Sequence, residues 1–264
     1  MEGLHQLEVL WILFVQALGA WLVEPMRLVS MLGQEEFYLL IMPVLYWSFD
    51  MRLGLRVATM LLLSNGVVSI FKMAFHAPRP YWFDARVQAF SIETSFGIPS
   101  GHAQNAAAIW GLFASSVQGR AVKIILVGLI GLIGFSRIYL GVHFISDVLL
   151  GWLLGGLLLW GFIRVERPVT AWLKTRSLTQ MLQLALISSL LLGLFMALPS
   201  FGLRDWQIPT EWEENALAAS SESKFDPLNI EGAFTVAGTW IGMMAGAAWL
   251  YHRQGGHRVS RAPL

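Results

Sequence analysis

The stretch Val122–Trp160, VKIILVGLIGLIGFSRIYLGVHFISDVLLGWLLGGLLLW, decides the fold. It holds two apolar runs, each close to the roughly 20 residues a helix needs to cross a bilayer. A short junction between them carries Ser136, Arg137, His143 and Asp147. Working outward, comparable runs are Phe37–Ser48, Leu53–Phe75, Ala103–Val117, Ile145–Ile163, Met181–Leu198 and Ala233–Leu250, so with Val122–Tyr139 seven spans are expected. The composition agrees. Of 264 residues, 56% are hydrophobic and 13% charged, with 18 Lys+Arg against 17 Asp+Glu. A soluble domain carries about 25% charge. A soluble enzyme, a disordered regulator and a nucleic-acid binder with a basic face are therefore excluded. The chain has no Cys, which removes disulfides, thiolate metal sites and a cysteine nucleophile. The reading is an all-α integral membrane protein.

Charge sets the orientation. Arg52 and Arg56, then Arg120 and Lys123, then Arg164, Arg167, Lys174 and Arg176, and finally Arg253, Arg258 and Arg261 fall on one face, which the positive-inside rule makes cytoplasmic. The opposite face receives Glu35, Glu36, the loop Ala77–Pro99, the junction at Gly141, and Asp205, Glu211, Glu213, Glu214, Glu222 and Asp226. Residues 7–32 are apolar but broken by Gln16, Glu24, Pro25 and Arg27. They read as one or two helices in the interface, with Trp11 and Trp21 at headgroup level, or as an extra span. Gly128, Gly131, Gly134, Gly151, Gly155 and Gly156 read as close helix packing in lipid.

Ionisable groups at span ends are costly and mark function by default. Three clusters stand out, all on the non-cytoplasmic face. Lys72 closes a span and is followed by Arg79-Pro80; alone, Lys72 reads as a snorkelling anchor. Pro99-Ser100-Gly101-His102 opens a span, where Ser caps the helix and free N–H groups point outward, a geometry that also binds anions. Ser136-Arg137 precedes His143 and Asp147, which at four residues apart share a helix face. The carboxylate then takes one imidazole nitrogen and directs the other outward, or the pair holds two helices together. Jointly, three cations, two histidines, one carboxylate and a helix N-terminus suit a multiply charged oxyanion, most naturally phosphate. The histidines supply a nucleophile and a general acid.

Lys72 with Arg79-Pro80, Pro99-Ser100-Gly101-His102, and Ser136-Arg137 with His143 and Asp147 resemble, in order and spacing, the three-part signature of the type 2 phosphatidic-acid phosphatase family, which shares its site with vanadium haloperoxidases. The resemblance implies a six-helix transmembrane core over 35–199; interfacial helices in 1–34 and everything after that core depart from the family pattern. An acidic loop, an extra transmembrane helix and a basic cytoplasmic tail fill 200–264 of a single membrane domain. It implies that His143 attacks phosphorus, Asp147 orients it, and His102 protonates the leaving oxygen. Lys72, Arg79, Ser100, Gly101 and Arg137 hold the phosphoryl oxygens, with no metal and no cofactor. The expected partners are a lipid phosphate and membrane lipids, not nucleic acid. The expected place is the plasma (inner) membrane, multi-pass, with the site on the extracytoplasmic face.

Phosphatidic acid, undecaprenyl diphosphate, phosphatidylglycerol phosphate and sphingosine 1-phosphate fit that expectation. A lipid-linked phosphotransferase would use the same site. An anion transporter would place its charges at mid-membrane, not at one edge. Tyr81, Trp82 and Phe83 read as interface anchors or a headgroup gate, and Glu211–Asp226 as a solvated surface or a lid.

Overall fold

A computed structural model describes residues 2–220 and 225–253. Glu222, Arg258, Arg261 and the rest of the expected basic tail lie outside the described residues. Those described contain helices and no strand. In chain order they are α1 (Glu2–Gln16), α2 (Val23–Met31), α3 (Glu35–Val44, continued by a π-turn Leu45–Phe49), α4 (Met51–Phe75), α5 (Pro80–Phe83), α6 (Gly101–Asn105, continued by a π-turn Ala106–Trp110), α7 (Gly111–Ser116), α8 (Arg120–Tyr139), α9 (Ile145–Leu173), α10 (Leu178–Phe201), α11 (Thr210–Ala219) and α12 (Glu231–Arg253).

Five helices are long and apolar enough to cross a membrane, or up to six if the bent α1–α2 pair is one span. The five contain α4, α8, α9, α10 and α12. The runs expected at 37–48 and 103–117 are helical but short, each interrupted by a π-turn. Pro43 accounts for the first break, since its ring removes an N–H and crowds the preceding turn. The chain turns through a right angle between α1 and α2, at 89°. Polar contacts of α1 all reach one end of the bundle: Glu8 to Ser146, and Gln16 to Gln88 and Tyr139. α1 therefore lies across that end, with Leu4, Leu7, Trp11 and Phe14 exposed along its outer side. α2 turns down along α8: Tyr139 Oη donates to the Gly19 carbonyl, while a Cβ on Gly33 would sit 2.7 Å from Ile133. At about 1.5 Å per residue that is a descent of about 9 Å.

α9 is 29 residues long, about 43 Å against a hydrocarbon core of about 30 Å. Arg164 and Arg167 therefore ride a helix and not a loop. At the same end, Arg56 Nε donates to Glu166 Oε2 at 2.9 Å. Arg164, Arg176 and Arg253 lie over the rings of Trp160, Trp172 and Trp249. Cation over tryptophan at helix ends is the pattern of a membrane–water boundary.

The glycine expectation divides. A Cβ on Gly151 would meet the Ser100 carbonyl at 2.6 Å, and one on Gly155 the Gln104 carbonyl at 2.4 Å. α9 thus rides directly on the α6 backbone, which fixes the distance between the start of α6 and the start of α9. Gly134 likewise admits Trp152. Gly128, Gly131 and Gly156 have nothing within 4 Å and are not packing positions among the described residues, because they face outward from the bundle.

A further departure concerns the aromatics. Tyr81 and Trp82 are buried, not at an exposed interface. Trp82 packs edge-on against Phe225 and Phe96, and Phe96 against Trp206. α11 covers this cluster, with Asn215 Nδ2 donating to the Trp82 carbonyl at 2.9 Å. The acidic segment therefore caps one end of the bundle over α5.

Candidate functional site

Four separate pieces of chain meet under that cap. Lys72 lies in the last turn of α4, Arg79 immediately before α5, Ser100 before α6, and Arg137 in the last turn of α8. Asp147 is in the first turn of α9. His143 precedes α9, so the pair does not share a helix face as expected. Gly141 takes φ 74°, a left-handed conformation that glycine tolerates. The turn it makes hangs His143 over the helix start, with the His143 N–H reaching the Arg137 carbonyl at 3.3 Å. Asp147 Oδ2 then accepts both the Phe144 N–H at 2.9 Å and His143 Nδ1 at 3.2 Å. The contact is a helix-start geometry.

Arg79 is completely buried and all five of its N–H groups have acceptors. Nε donates to the Ser95 carbonyl at 2.6 Å, and Nη2 to Ser95 Oγ at 3.1 Å and the Phe96 carbonyl at 3.2 Å. Nη1 donates to the Val142 carbonyl at 2.9 Å and lies 3.2 Å from His143 Nε2. A guanidinium only donates. Nε2 must therefore be the accepting nitrogen, and the ring proton sits on Nδ1, toward Asp147. Burial, followed by the charges of Arg79, Arg137 and Lys72, pushes His143 well below the ordinary histidine range. A neutral ring with its lone pair on Nε2 is the form a nucleophile requires.

Arg137, also buried, donates from Nη1 to Ser30 Oγ at 2.6 Å and from Nη2 to Glu93 Oε1. Among the described residues its Nε has no partner, and neither has the buried His102 Nε2. Lys72 Nζ donates to Ser95 Oγ at 2.7 Å. His102 stands within electrostatic reach of Arg137, Glu93, Lys72 and Arg79. Ser100 Oγ accepts the Ala103 N–H at 3.4 Å as a helix cap, and its own N–H reaches the Asp147 carbonyl at 3.0 Å. Gly101, at the open end of α6, packs toward Val68. The eight residues expected from the sequence are thus gathered at one end of the bundle. Of the two unpartnered atoms, Arg137 Nε is a buried donor still open to an acceptor. Among the described residues, no group of three His, Asp or Glu side chains is disposed to hold a metal ion.

Four contributors were not expected: Glu93, Ser95, Ser30 and Glu8. Burial alone would raise the Glu93 carboxyl, but Arg137, Arg79, His102 and Lys72 together outweigh it and hold the group well below the ordinary carboxylate range. Its signal in the sequence is that it is the one acid within QAFSIETSFGI, residues 88–98. Glu8 caps the start of α9 from α1, accepting the Ser146 N–H at 2.7 Å and Ser146 Oγ at 3.1 Å. His5 stacks on Phe144 with centroids 4.3 Å apart. A Cβ on Gly97 would meet the Pro78 carbonyl at 2.4 Å and Asp147 Oδ2 at 3.3 Å, so only glycine lets the loop pass there.

Residues 53–171 match the PAP2 superfamily. The chain is 26% identical to mouse (Mus musculus) sphingosine-1-phosphate phosphatase 2 over 221 residues, 81% of this chain and 57% of that protein. It is 43% identical to Bacillus subtilis phosphatidylglycerophosphatase B over 75 residues, 25% of this chain and 37% of that protein. The chain thus spans just over half, or less, of the length of these curated relatives. The crystal structure of a transmembrane PAP2-type phosphatidylglycerolphosphate phosphatase from Bacillus subtilis superimposes with a TM-score of 0.52 at 27% identity, covering 64% of this chain and 89% of that one. The eight expected residues, with Glu93 and Ser95, lie inside the span that matches the PAP2 superfamily, while Ser30 and Glu8 reach in from the N-terminal arm.

Proposed function

We propose that this protein is a metal-independent membrane lipid phosphatase that forms a phosphohistidine on His143. One observation carries the reading. Three cations and the unpartnered Arg137 Nε and His102 Nε2 surround an imidazole whose tautomer is fixed by Asp147 and Arg79. In the first step His143 Nε2 bonds to phosphorus, the bond from phosphorus to the lipid oxygen breaks, and His102 gives that oxygen a proton. In the second step water attacks phosphorus, His102 takes back a proton, and the P–N bond breaks to release inorganic phosphate. Lys72, Arg79 and Arg137 carry the negative charge on the three equatorial oxygens. The Arg79 Nη1–H now aimed at Nε2 switches its hydrogen bond to a phosphoryl oxygen when substrate arrives, the proton staying on nitrogen, which frees the lone pair.

A lipid substrate suits the position of the site at the edge of the apolar bundle, with the exposed apolar row of α1 beside it. The relatives named for sphingosine 1-phosphate and phosphatidylglycerophosphate support a phosphate monoester on a lipid. The purified protein is expected to release phosphate in EDTA from one or more of sphingosine 1-phosphate, phosphatidic acid, phosphatidylglycerol phosphate and undecaprenyl diphosphate. Loss of turnover in EDTA would reject the metal-free reading. Transfer of the phosphoryl group to an added lipid acceptor, with no free phosphate, would make the enzyme a phosphotransferase.

The site is proposed to face the extracytoplasmic side of the plasma (inner) membrane. With no native Cys, a single Ala85→Cys in the exposed part of the site loop reports this directly. An impermeant thiol reagent is expected to label it in intact cells. Labelling only after lysis would reverse the orientation.

A further inference from the structure

Glu93 sits where the proposed substrate belongs. Its Oε1 accepts from Arg137 Nη2 and its Oε2 stands 3.7 Å from Arg79 Nη2, so one carboxylate bridges two of the three cations. It comes from a loop whose neighbouring residues Ile92 and Thr94 are exposed, and its side chain keeps 24% of its surface open. The cations beneath it are sealed: Arg79 at 0% and Arg137 at 1%. Glu93 is thus the partly solvent-exposed partner of two buried arginines.

The charge balance points the same way. Lys72, Arg79 and Arg137 face Asp147 and Glu93, an excess of one positive charge. A phosphate dianion added with Glu93 in place sets two anions competing for Arg137. Buried charge is tolerated when paired and punished when not. The bond to Arg137 is thus the one the site gives up most readily. Arg79, by contrast, is tied to backbone carbonyls at Ser95, Phe96 and Val142.

We infer that Glu93 is an internal anion that fills the phosphate seat of the empty enzyme, withdraws when the substrate phosphate enters, and returns to Arg137 to expel inorganic phosphate. The inference rests on the phosphatase reading above. It makes Glu93 a positioning residue that sets how tightly free phosphate is held, with no bond made or broken by it.

A competing occupant lowers apparent affinity by the fraction of time the seat is free. If Glu93 occupies the seat nine-tenths of the time or more, Glu93→Gln should strengthen competitive inhibition by inorganic phosphate about 10-fold or more. A merely structural role would weaken inhibition or leave it unchanged. Phosphate inhibition that is equal or weaker in a folded Glu93→Gln, judged by its unfolding temperature in detergent, overturns the inference. Where that variant does not fold, a fluorophore on Thr94→Cys reads the movement in a chain that keeps Glu93. Saturating phosphate should shift its emission, and a flat response overturns the inference. Failure of the wild-type protein to release phosphate or to be inhibited by it is a different result, and removes the phosphatase reading itself.

Discussion

His143→Ala is expected to lower phosphate release by at least about 10⁴-fold, because removing a nucleophile eliminates the covalent route and leaves only what binding and charge stabilisation supply. The geometry makes the test clean. His143 has little structural duty through its ring: one contact is to Asp147, which retains the Phe144 N–H, and the other is to Arg79, which keeps its carbonyl acceptors. The cation cluster should therefore persist, and the variant should still bind phosphate or vanadate while failing to turn over. In the wild-type enzyme, brief mixing with labelled substrate should leave acid-labile, alkali-stable label on the protein, and His143→Ala should leave none. Residual turnover above about 1% of wild type would contradict the assigned role, since losses at a true nucleophile are orders of magnitude larger.

Asp147→Asn should cost about 10²- to 10³-fold in kcat with little change in KM, or about 2.7–4 kcal/mol of barrier. One oxygen of Asp147 accepts both the Phe144 N–H and the His143 Nδ1–H. Asparagine can seat its carbonyl oxygen there and keep both bonds. The opposite orientation would put the ring proton on Nε2, facing an Arg79 N–H, donor against donor. The tautomer is thus retained and the substitution isolates charge. The phosphorylated ring carries positive charge beside three cations, and the Asp147 carboxylate is the neighbour that offsets it. Stopped-flow measurement of the phosphorylation step reads this directly. A loss of under tenfold would mean that Asp147 acts by position alone, not by charge.

The candidate site residues were legible because lipid makes them conspicuous. Arg137, His143 and Asp147 interrupt runs that are otherwise apolar, and the resemblance ties them to Lys72, Arg79 and His102. Glu93 is marked only as the one acid in residues 88–98, a weaker contrast than an interrupted apolar run, and Ser95 is ordinary in a loop. Ser30 and Glu8 were illegible for another reason: they meet Arg137 and Ser146 across 107 and 138 residues of chain, a pairing that no local pattern encodes. The seven apolar runs are all helical, but the hydropathy of a run does not report its breaks. The π-turn at 45–49 follows Pro43, while the π-turn at 106–110 and the right-angle bend between α1 and α2 leave no mark in hydropathy. The same limit explains the glycines. Spacing alone did not separate Gly151 and Gly155, which admit a backbone, from Gly128, Gly131 and Gly156, which face nothing.

The grip of the N-terminal arm bears on what counts as a self-sufficient unit. Transplanting residues 35–199 to another scaffold would carry over every signature side chain, yet it would strand Arg137 without the Ser30 hydroxyl and the start of α9 without the Glu8 carboxylate. The smallest portable version of this site therefore starts upstream of Glu8, well outside its motifs.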